Sequence, residues 1–406
     1  MKSVRVPGWL FSLVAFLLAT LARPTVAHAY VWMLRYGDAT CTSCHTDPSG
    51  SVILTAKGRS RGDLLTRTRY TSSDFQLSSE RHDEPSPLGG FAWGGGELPD
   101  EIRFGADLRG GYYVAKPAER PLQSEFLLMR ADTFLDVRFW HVRAAASVGY
   151  ANEGSLGAAL TREENHNFVS REHWFGFELD SAGSWLVRGG RIALPFGIRT
   201  PEHNLWVRRS TRTDIDDDQQ YGLAVAVSKG IVRAEVMGIL GNYQTRPDDY
   251  RERGYSAYIE IAPLPGFAAG VSGLSTRARR DIEYEVSSYR HAYGAFARYS
   301  PIEPLIFIGE FDWIYQSLTW NGHRSGFAAY LQGDWEMLRG VHFMLTGESK
   351  NDGRPDEPPS FGGWISSAWF FAPHADFRID NIFQTLKTPV THQDVFSMLL
   401  QLHVYL

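Results

Sequence analysis

Cysteine is nearly missing from this chain: 406 residues hold two, Cys41 and Cys44. So few thiols exclude a disulfide-stapled scaffold. Without a second Cys or His pair at ligand spacing they also exclude a four-ligand structural zinc site. A basic excess is absent too, and a formal net charge of -5 argues against nucleic acid as a partner. Beyond the N-terminal leader no apolar run could cross a bilayer as a helix, and mean hydropathy is -0.26. No Ser-His-Asp order, phosphate loop or His-Glu-x-x-His motif is present, so nothing supports a hydrolase.

The N-terminus carries an address. Lys2 and Arg5 precede an apolar run from about Trp9 to Leu21, and the small-residue site Ala27-His28-Ala29 follows. Residues 1–29 therefore read as a secretory signal peptide cut after Ala29; an uncleaved anchor would want a longer apolar stretch. The mature chain is expected to start near Tyr30, outside the cytoplasm.

In an oxidising compartment a Cys-x-x-Cys pair can be a disulfide, half of a metal site, or a cofactor attachment point. The histidine directly after the second cysteine decides among them, because Cys-x-x-Cys-His is the attachment signature of c-type haem. Thiols three residues apart on a helical turn share a face, so Cys41 and Cys44 can each bond one vinyl group, with His45 as proximal iron ligand. Two residues are candidates for the distal position, Met33 and His82. Met33 reads equally as a core residue beside Trp32 and Leu34, and His82 as a solvated residue of SSERHDEP.

The chain changes character along its length. Residues 30–70 carry the motif and one short helix over SVILTAKGRSRGDLL, forming a small, partly helical cytochrome c segment. Residues 71–100 form a Gly/Pro-rich linker. Over 101–406 period-two alternation takes over. In IRFGADLRGGYYV, Ile102, Phe104, Ala106 and Leu108 oppose Arg103, Asp107 and Arg109. In LIFIGEFDWIYQ, Phe307, Phe311 and Trp313 oppose Ile306, Ile308, Glu310 and Asp312, and in the last segment Met398, Leu400 and Leu402 oppose Ser397, Gln401 and His403. Continued along the chain, this gives about 16 strands of roughly ten residues, long enough to cross a bilayer when tilted.

Tight turns alternate with long polar loops, notably 152–170, 194–219, 242–252, 276–285 and 351–361, as on the two rims of an outer-membrane barrel. Aromatics at 13% suit two interfacial girdles. The expected fold class is thus all-β, a transmembrane antiparallel β-barrel of about 16 strands preceded by the haem-binding segment. A soluble all-β protein would show similar alternation, but with shorter strands and no alternation of loop length. The barrel places the chain in the bacterial outer membrane, with lipid as its surroundings.

Cys-x-x-Cys-His-Thr with Pro48, then Leu54-Thr55-x-x-Gly58-Arg59, ahead of such a barrel, resembles the fused monohaem cytochrome-porins of the outer membrane, best known as the iron oxidases of iron-oxidising bacteria. The resemblance implies one haem c on Cys41, Cys44 and His45, in a segment that plugs the barrel and passes electrons between the outside, Fe(II) included, and a periplasmic carrier such as a soluble cytochrome. An extracellular metal ion or mineral is the implied outer partner. The lead-in MLRYGDAT and the Ser-Arg after Gly58-Arg59 depart from that family's pattern.

Further features accompany the barrel. Haem propionates would need cations, and the inward positions Arg103, Arg109, Arg130, Arg138, Arg143, Arg188 and Arg191 could supply them. The loop segment RTPEHNLWVRRSTRTDIDDDQQ could fold inward as a constriction, or its carboxylates could collect a hard divalent cation. Three functions follow in order: an outer-membrane electron-transfer conduit, a solute porin whose cysteine pair is only structural, and a periplasmic cytochrome enzyme. Whether Fe(II) oxidation is catalysed stays open at this level, as does the direction of electron flow.

Overall fold

The computed structural model describes residues 31–37, 44–48, 50, 53–68, 91–96, 98–99, 101–118, 120–151, 167–200, 202, 204–243, 247, 249–319, 322–387 and 392–406. Cys41, His82 and the signal peptide lie outside the described residues.

The strands begin with β1 (Ile102–Pro117), β2 (Gln123–Phe139), β3 (Val142–Tyr150), β4 (Phe168–Val169), β5 (His173–Glu178) and β6 (Trp185–Ile192). They continue with β7 (Gln220–Lys229), β8 (Val232–Gly241), β9 (Glu252–Leu264), β10 (Phe267–Ala278), β11 (Ser288–Ile302) and β12 (Leu305–Leu318). The last five are β13 (Gly322–Leu338), β14 (Val341–Asn351), β15 (Ser360–Ala372), β16 (Ala375–Lys387) and β17 (His392–Tyr405). Every neighbour pair is antiparallel, and β1 pairs with β17 from Asp107 opposite Tyr405 to Pro117 opposite Val395, so the sheet closes on itself. Closure leaves no edge strand, which is what a sheet surrounded by lipid requires.

β4 and β5 lie on one stave, because β3 pairs with both. Seventeen strands therefore make a barrel of sixteen staves. The stave of β4 and β5 is broken between them, with β4 at the end of the stretch 152–170 expected as a loop. At the break Ser147 N donates to Glu172 O at 2.7 Å and Ser147 Oγ accepts from Glu172 N at 2.9 Å. The turned-out residue Arg171 sends its guanidinium into the lumen to Asp132, 2.6 Å away.

The alternation is inverted relative to a soluble protein, with apolar side chains outward. On β12, Phe307, Phe311 and Trp313 are exposed while Glu310 and Asp312 are buried in the lumen. On β17 Leu402 faces out, and Ser397, Gln401 and His403 face in. Exposed rings gather near both rims, Phe139, Trp140, Trp185, Trp335 and Trp369 at one and Phe126, Tyr289 and Phe361 at the other. These are the positions that headgroup-level girdles take. The first rim carries the tight turns together with the start of β1 and the end of β17. That makes it the periplasmic rim, and the long connections face outward from the cell.

Two segments fill the bore. The loop between β6 and β7 does fold inward, burying Phe196, Leu205 and Val207 completely, with one short helix, α2 (Trp206–Thr211). It reaches the far wall, where Ile198 N donates to Glu310 Oε2 at 3.0 Å, Trp206 N donates to Glu348 Oε2 at 3.0 Å, and Arg208 pairs with Glu310.

The described residues between 31 and 68 occupy the periplasmic half. A turn of 3-10 helix, Val31–Tyr36, buries Trp32, Met33 and Leu34 against inward side chains of β11 and β12. A second helix, here α1 (Ala56–Thr66), adds Leu64 and Leu65 to the same cluster. Its partners on the wall include Ile306, Ile308, Met344 and Phe370, apolar residues on faces otherwise polar. Each buried leucine contributes about 1.5–3 kcal/mol. Between the loop ahead of β1 and the barrel, Phe91–Gly94 makes a tight turn with Ala92 and Trp93 in the left-handed region, and Trp93 Nε1 donates to Pro373 O at 2.9 Å.

Candidate functional site

The Cys-x-x-Cys-His motif ends in a small backbone clasp. Leu54 forms a β-bridge with His45, Thr46 N donates to Ile53 O at 3.0 Å, and Thr55 N donates to Cys44 O at 2.8 Å. These bonds hold Ile53 and Leu54 extended, which is why α1 starts at Ala56 and not at Ser51 as the sequence suggests. Thr55 is its N-cap, with Oγ1 accepting from Gly58 N at 3.0 Å, an interaction contributing about 1 kcal/mol. Gly58 has no room for a side chain, since a Cβ there would stand 2.2 Å from the Cys44 carbonyl oxygen. The spacing Leu-Thr-x-x-Gly after the motif is therefore a packing requirement: the helix lies on the backbone of Cys44, which is fully buried.

Charged residues tie this segment to the wall. Arg188 of β6 pairs with Asp47 and with Glu235, the latter at 2.7 Å. Arg143 Nη2 donates to Thr46 O at 2.6 Å and to Asp136 Oδ2 at 2.8 Å. On the other side Arg35 meets Asp334 at 2.6 Å, and the Tyr36 hydroxyl donates to Glu336. Burial, reinforced by the Glu336 carboxylate, raises the Tyr36 phenol well above its ordinary value, so it stays a donor. Thr68 N continues the contact, donating to Phe370 O at 2.8 Å. Gly340 makes room for this seam, because a Cβ there would lie 2.5 Å from Thr66 O.

Above the clasp lies a cavity with about 1060 Å³ of empty space, part of it continuous with solvent. His45 and Met33 both line it, as do Gly58, Arg59, Gly62 and Asp63 of α1. The barrel adds Arg109, Arg130, His374, His403 and Tyr405, and the inward loop adds Arg199, Ile215 and Asp216. The structure thus brings His45 and Met33 to the walls of one space; Cys41 and His82 are outside the described residues. Sequence reasoning missed His374 and His403. His403 bridges two carboxylates, Asp376 at 2.8 Å from Nδ1 and Asp107 at 3.2 Å from Nε2. Its place on the polar face of β17 was the available signal.

The chemistry of this lining suits a large planar iron porphyrin. It offers an imidazole and a thioether as iron ligands, glycines on the face of α1, and guanidinium groups for acidic side arms. Arg59 itself is held below the usual guanidinium range by burial and then by its neighbour Arg103.

Most of the lumen arginines proposed from sequence have carboxylate partners. Arg130 meets Asp132 at 2.7 Å and Asp216 at 2.5 Å, Arg138 meets Glu178 at 2.5 Å, and Arg143 meets Asp136. Arg191 donates to the backbone oxygens of Ser170 and Tyr243.

The acidic run of the inward loop is likewise engaged. Asp216 pairs with Arg130 and Asp217 lies 3.4 Å from Arg171, while Asp218 Oδ2 accepts from Asp214 N at 2.9 Å. Among the described residues no group of three or more His, Cys, Asp or Glu is arranged to hold a metal ion. Burial, with Asp217 adding repulsion, pushes the Asp218 carboxyl up to about 6 against the pull of the Asp214 N–H and of Arg290 and Arg212. A raised carboxyl pKa means the folded loop keeps a proton that the unfolded chain has lost. The stabilisation is complete below about pH 4 and is lost as pH rises through about 6. Amide exchange of the loop, corrected for intrinsic rates, should therefore be slower at about pH 5 than at about pH 7. Asp218→Asn should weaken that dependence; an unchanged pH profile in the variant would refute the assignment.

No family model and no curated protein matches the chain. Solved structures do. The anion-selective porin from Comamonas acidovorans superposes with a TM-score of 0.57 at 10% identity, covering 75% of this chain and 99% of that one. OmpT, an outer membrane protein of Vibrio cholerae, gives a TM-score of 0.55 at 10% identity, covering 76% of this chain and 99% of its own. Salmonella typhi OmpF in complex with daunomycin gives 0.53 at 10% identity over 77% of this chain and 100% of its own. Such identities speak to fold alone. By that fold the chain is a sixteen-stranded, porin-like β-barrel of the bacterial outer membrane.

Proposed function

We propose that the protein is an outer-membrane electron conduit, with one c-type haem attached through Cys41 and Cys44 to the segment in the bore and ligated by His45. The observation that carries this reading is the shared cavity: His45, the last residue of the motif, lines a space that also takes in Met33 and several guanidinium groups. A disulfide alone would give His45 no reason to face such a space.

When bound, the haem would supply reversible one-electron oxidation and reduction. The chain's own residues do the rest. The clasp on Leu54 and Gly58 positions His45, which would hold the iron, and Met33 is the described candidate for a second ligand. The salt bridges of Arg188 and Arg35 hold the segment against the wall. The barrel keeps lipid away and the inward loop narrows the outer approach. One redox centre in the periplasmic half cannot span an apolar band of about 25 Å and both rims, so a periplasmic carrier is required on one side. An extracellular donor or acceptor, such as Fe(II) or a mineral surface, is required on the other.

A second reading, a solute porin whose cysteines are only structural, draws support from the fold itself and from a second space of about 1440 Å³ lined by Tyr113, Glu125, Trp206 and Arg209. Spectroscopy separates the two. Outer membranes from cells expressing the chain with a cytochrome maturation system should show a reduced-minus-oxidised haem band, and Cys44→Ala should abolish it. A colourless wild-type protein would leave the porin reading standing.

A further inference from the structure

We propose that Arg109 of β1, together with Arg59 of α1, forms the carboxylate-binding subsite of the His45 cavity, the place where the two acidic side arms of the porphyrin are neutralised. This rests on the haem reading above.

Charge comes first. Five arginines and three aspartates line the cavity, a surplus of two positive charges with no lysine or glutamate among the lining residues. The pairing then identifies the surplus. Arg67 is matched to Asp63 at 2.6 Å, and Arg130 is matched to Asp132, Asp216 and, at 3.6 Å, Asp107. Arg199 reaches Glu235 at 3.7 Å. What remains is Arg59 and Arg109.

Arg109 makes no hydrogen bond or ion pair with any described residue, although its Nε is fully buried. The acid nearest it in sequence, Asp107, is already engaged by Arg130 and His403. Arg59 is 6% exposed; it donates to the Phe104 carbonyl at 3.1 Å and lies over the Phe91 ring at 5.6 Å, but meets no carboxylate among the described residues. Arg59 is buried and Arg109 half-buried, and a guanidinium withdrawn from water without counter-charge costs several kcal/mol. Planar donor forks at the edge of a cavity match carboxylates two bonds at a time. A ligand that brings two carboxylates into this space balances the surplus, and a porphyrin on His45 brings two.

Arg109 also lines the two neighbouring spaces, one toward Trp32 and His342 and one toward Tyr113 and Glu125. It stands where the haem cavity, the wall beside the 3-10 turn and the outer half of the bore meet. Among the lumen arginines read from sequence, Arg109 is the one that the structure leaves for a ligand.

The test is a spectroelectrochemical titration of the full-length haem protein in detergent, for the wild type, Arg109→Gln, Arg109→Lys, Arg59→Gln and the control Arg209→Gln, with heat-modifiable gel migration checking that each barrel is closed. Removing a cation beside carboxylates destabilises the reduced, more negative state, so Arg109→Gln and Arg59→Gln should each titrate at a lower midpoint potential. Arg109→Lys should recover much of the shift, and Arg209→Gln should leave the potential unchanged. Arg59→Gln keeps the test open should Arg109→Gln fail to close. Wild-type potentials in both Gln variants at full haem content would overturn the subsite and leave the haem reading intact. Absence of the haem band from the wild type would overturn both.

Discussion

Deleting residues 30–68 while keeping the leader should raise single-channel conductance in planar bilayers severalfold and still yield a heat-modifiable barrel. The barrel closes through the β1–β17 pairing, in which the N-terminal segment takes no part. Its described residues nonetheless fill the periplasmic half of the bore, with Trp32, Met33, Leu34, Leu64 and Leu65 packed on the inner wall. Without it, the inward loop between β6 and β7 is the remaining obstruction, the ordinary state of a porin eyelet. The same deletion hands Ile306, Ile308, Met344 and Phe370 to water, so the thermal midpoint should fall along with the rise in conductance. Conductance equal to that of the intact chain would mean that the segment does not occupy the bore in the membrane.

The barrel was legible because lipid makes period-two alternation compulsory on every stave, and because loop lengths alternate between rims. Each strand expected from that pattern has a counterpart; the short β4, in the stretch expected as a loop, is the addition, set apart from β5 where Arg171 leaves the wall for Asp132. The plug left a fainter trace. Ile306 and Ile308 stand on the face of β12 that also carries Glu310 and Asp312, an apolar pair in a polar row. Those two isoleucines meet the Val31–Tyr36 turn, a contact spanning about 270 positions of chain that no local pattern encodes. The helix start was misplaced for the same kind of reason: Ile53 and Leu54 look helical, but the clasp on His45 and Thr46 claims their backbone first.

The candidate residues of the site were legible in the sequence, but the charge pairing around them was not. Cysteine spacing singled out Cys41 and Cys44 as the proposed attachment residues, and Met33 was named as a ligand candidate from its position alone. Which arginine stays available depends on which carboxylates face it across the bore. Arg130, Arg138, Arg143 and Arg188 look no different from Arg109 in the sequence. The pairing of Arg188 with Asp47 joins residues 141 positions apart, whereas Arg109 is left over because Asp107 is engaged elsewhere. The remainder after such long-range pairing is a property of the closed barrel.

Arg188→Met should free the plug without opening the barrel. The guanidinium is fully buried, lies 5.3 Å from the Trp174 ring centre, and is shared between Asp47 on the motif segment and Glu235 on β8. Removing it takes the buried guanidinium from Asp47 and leaves Glu235 with Arg199, 3.7 Å away, and breaking a buried pair from one side costs about 3–5 kcal/mol. Barrel closure depends on some sixteen ladders of backbone bonds, whereas the segment around Cys44 depends on a handful of side-chain ties, so the loss falls on the plug. Limited proteolysis should then cut within residues 44–68 while the barrel still migrates as a heat-modifiable species. Asp47→Asn should have a smaller effect, since Arg188 keeps Glu235 and the amide still accepts a hydrogen bond. Equal protease resistance in the wild type and Arg188→Met would mean that the plug is held by its other contacts, with the Arg188 salt bridge contributing nothing.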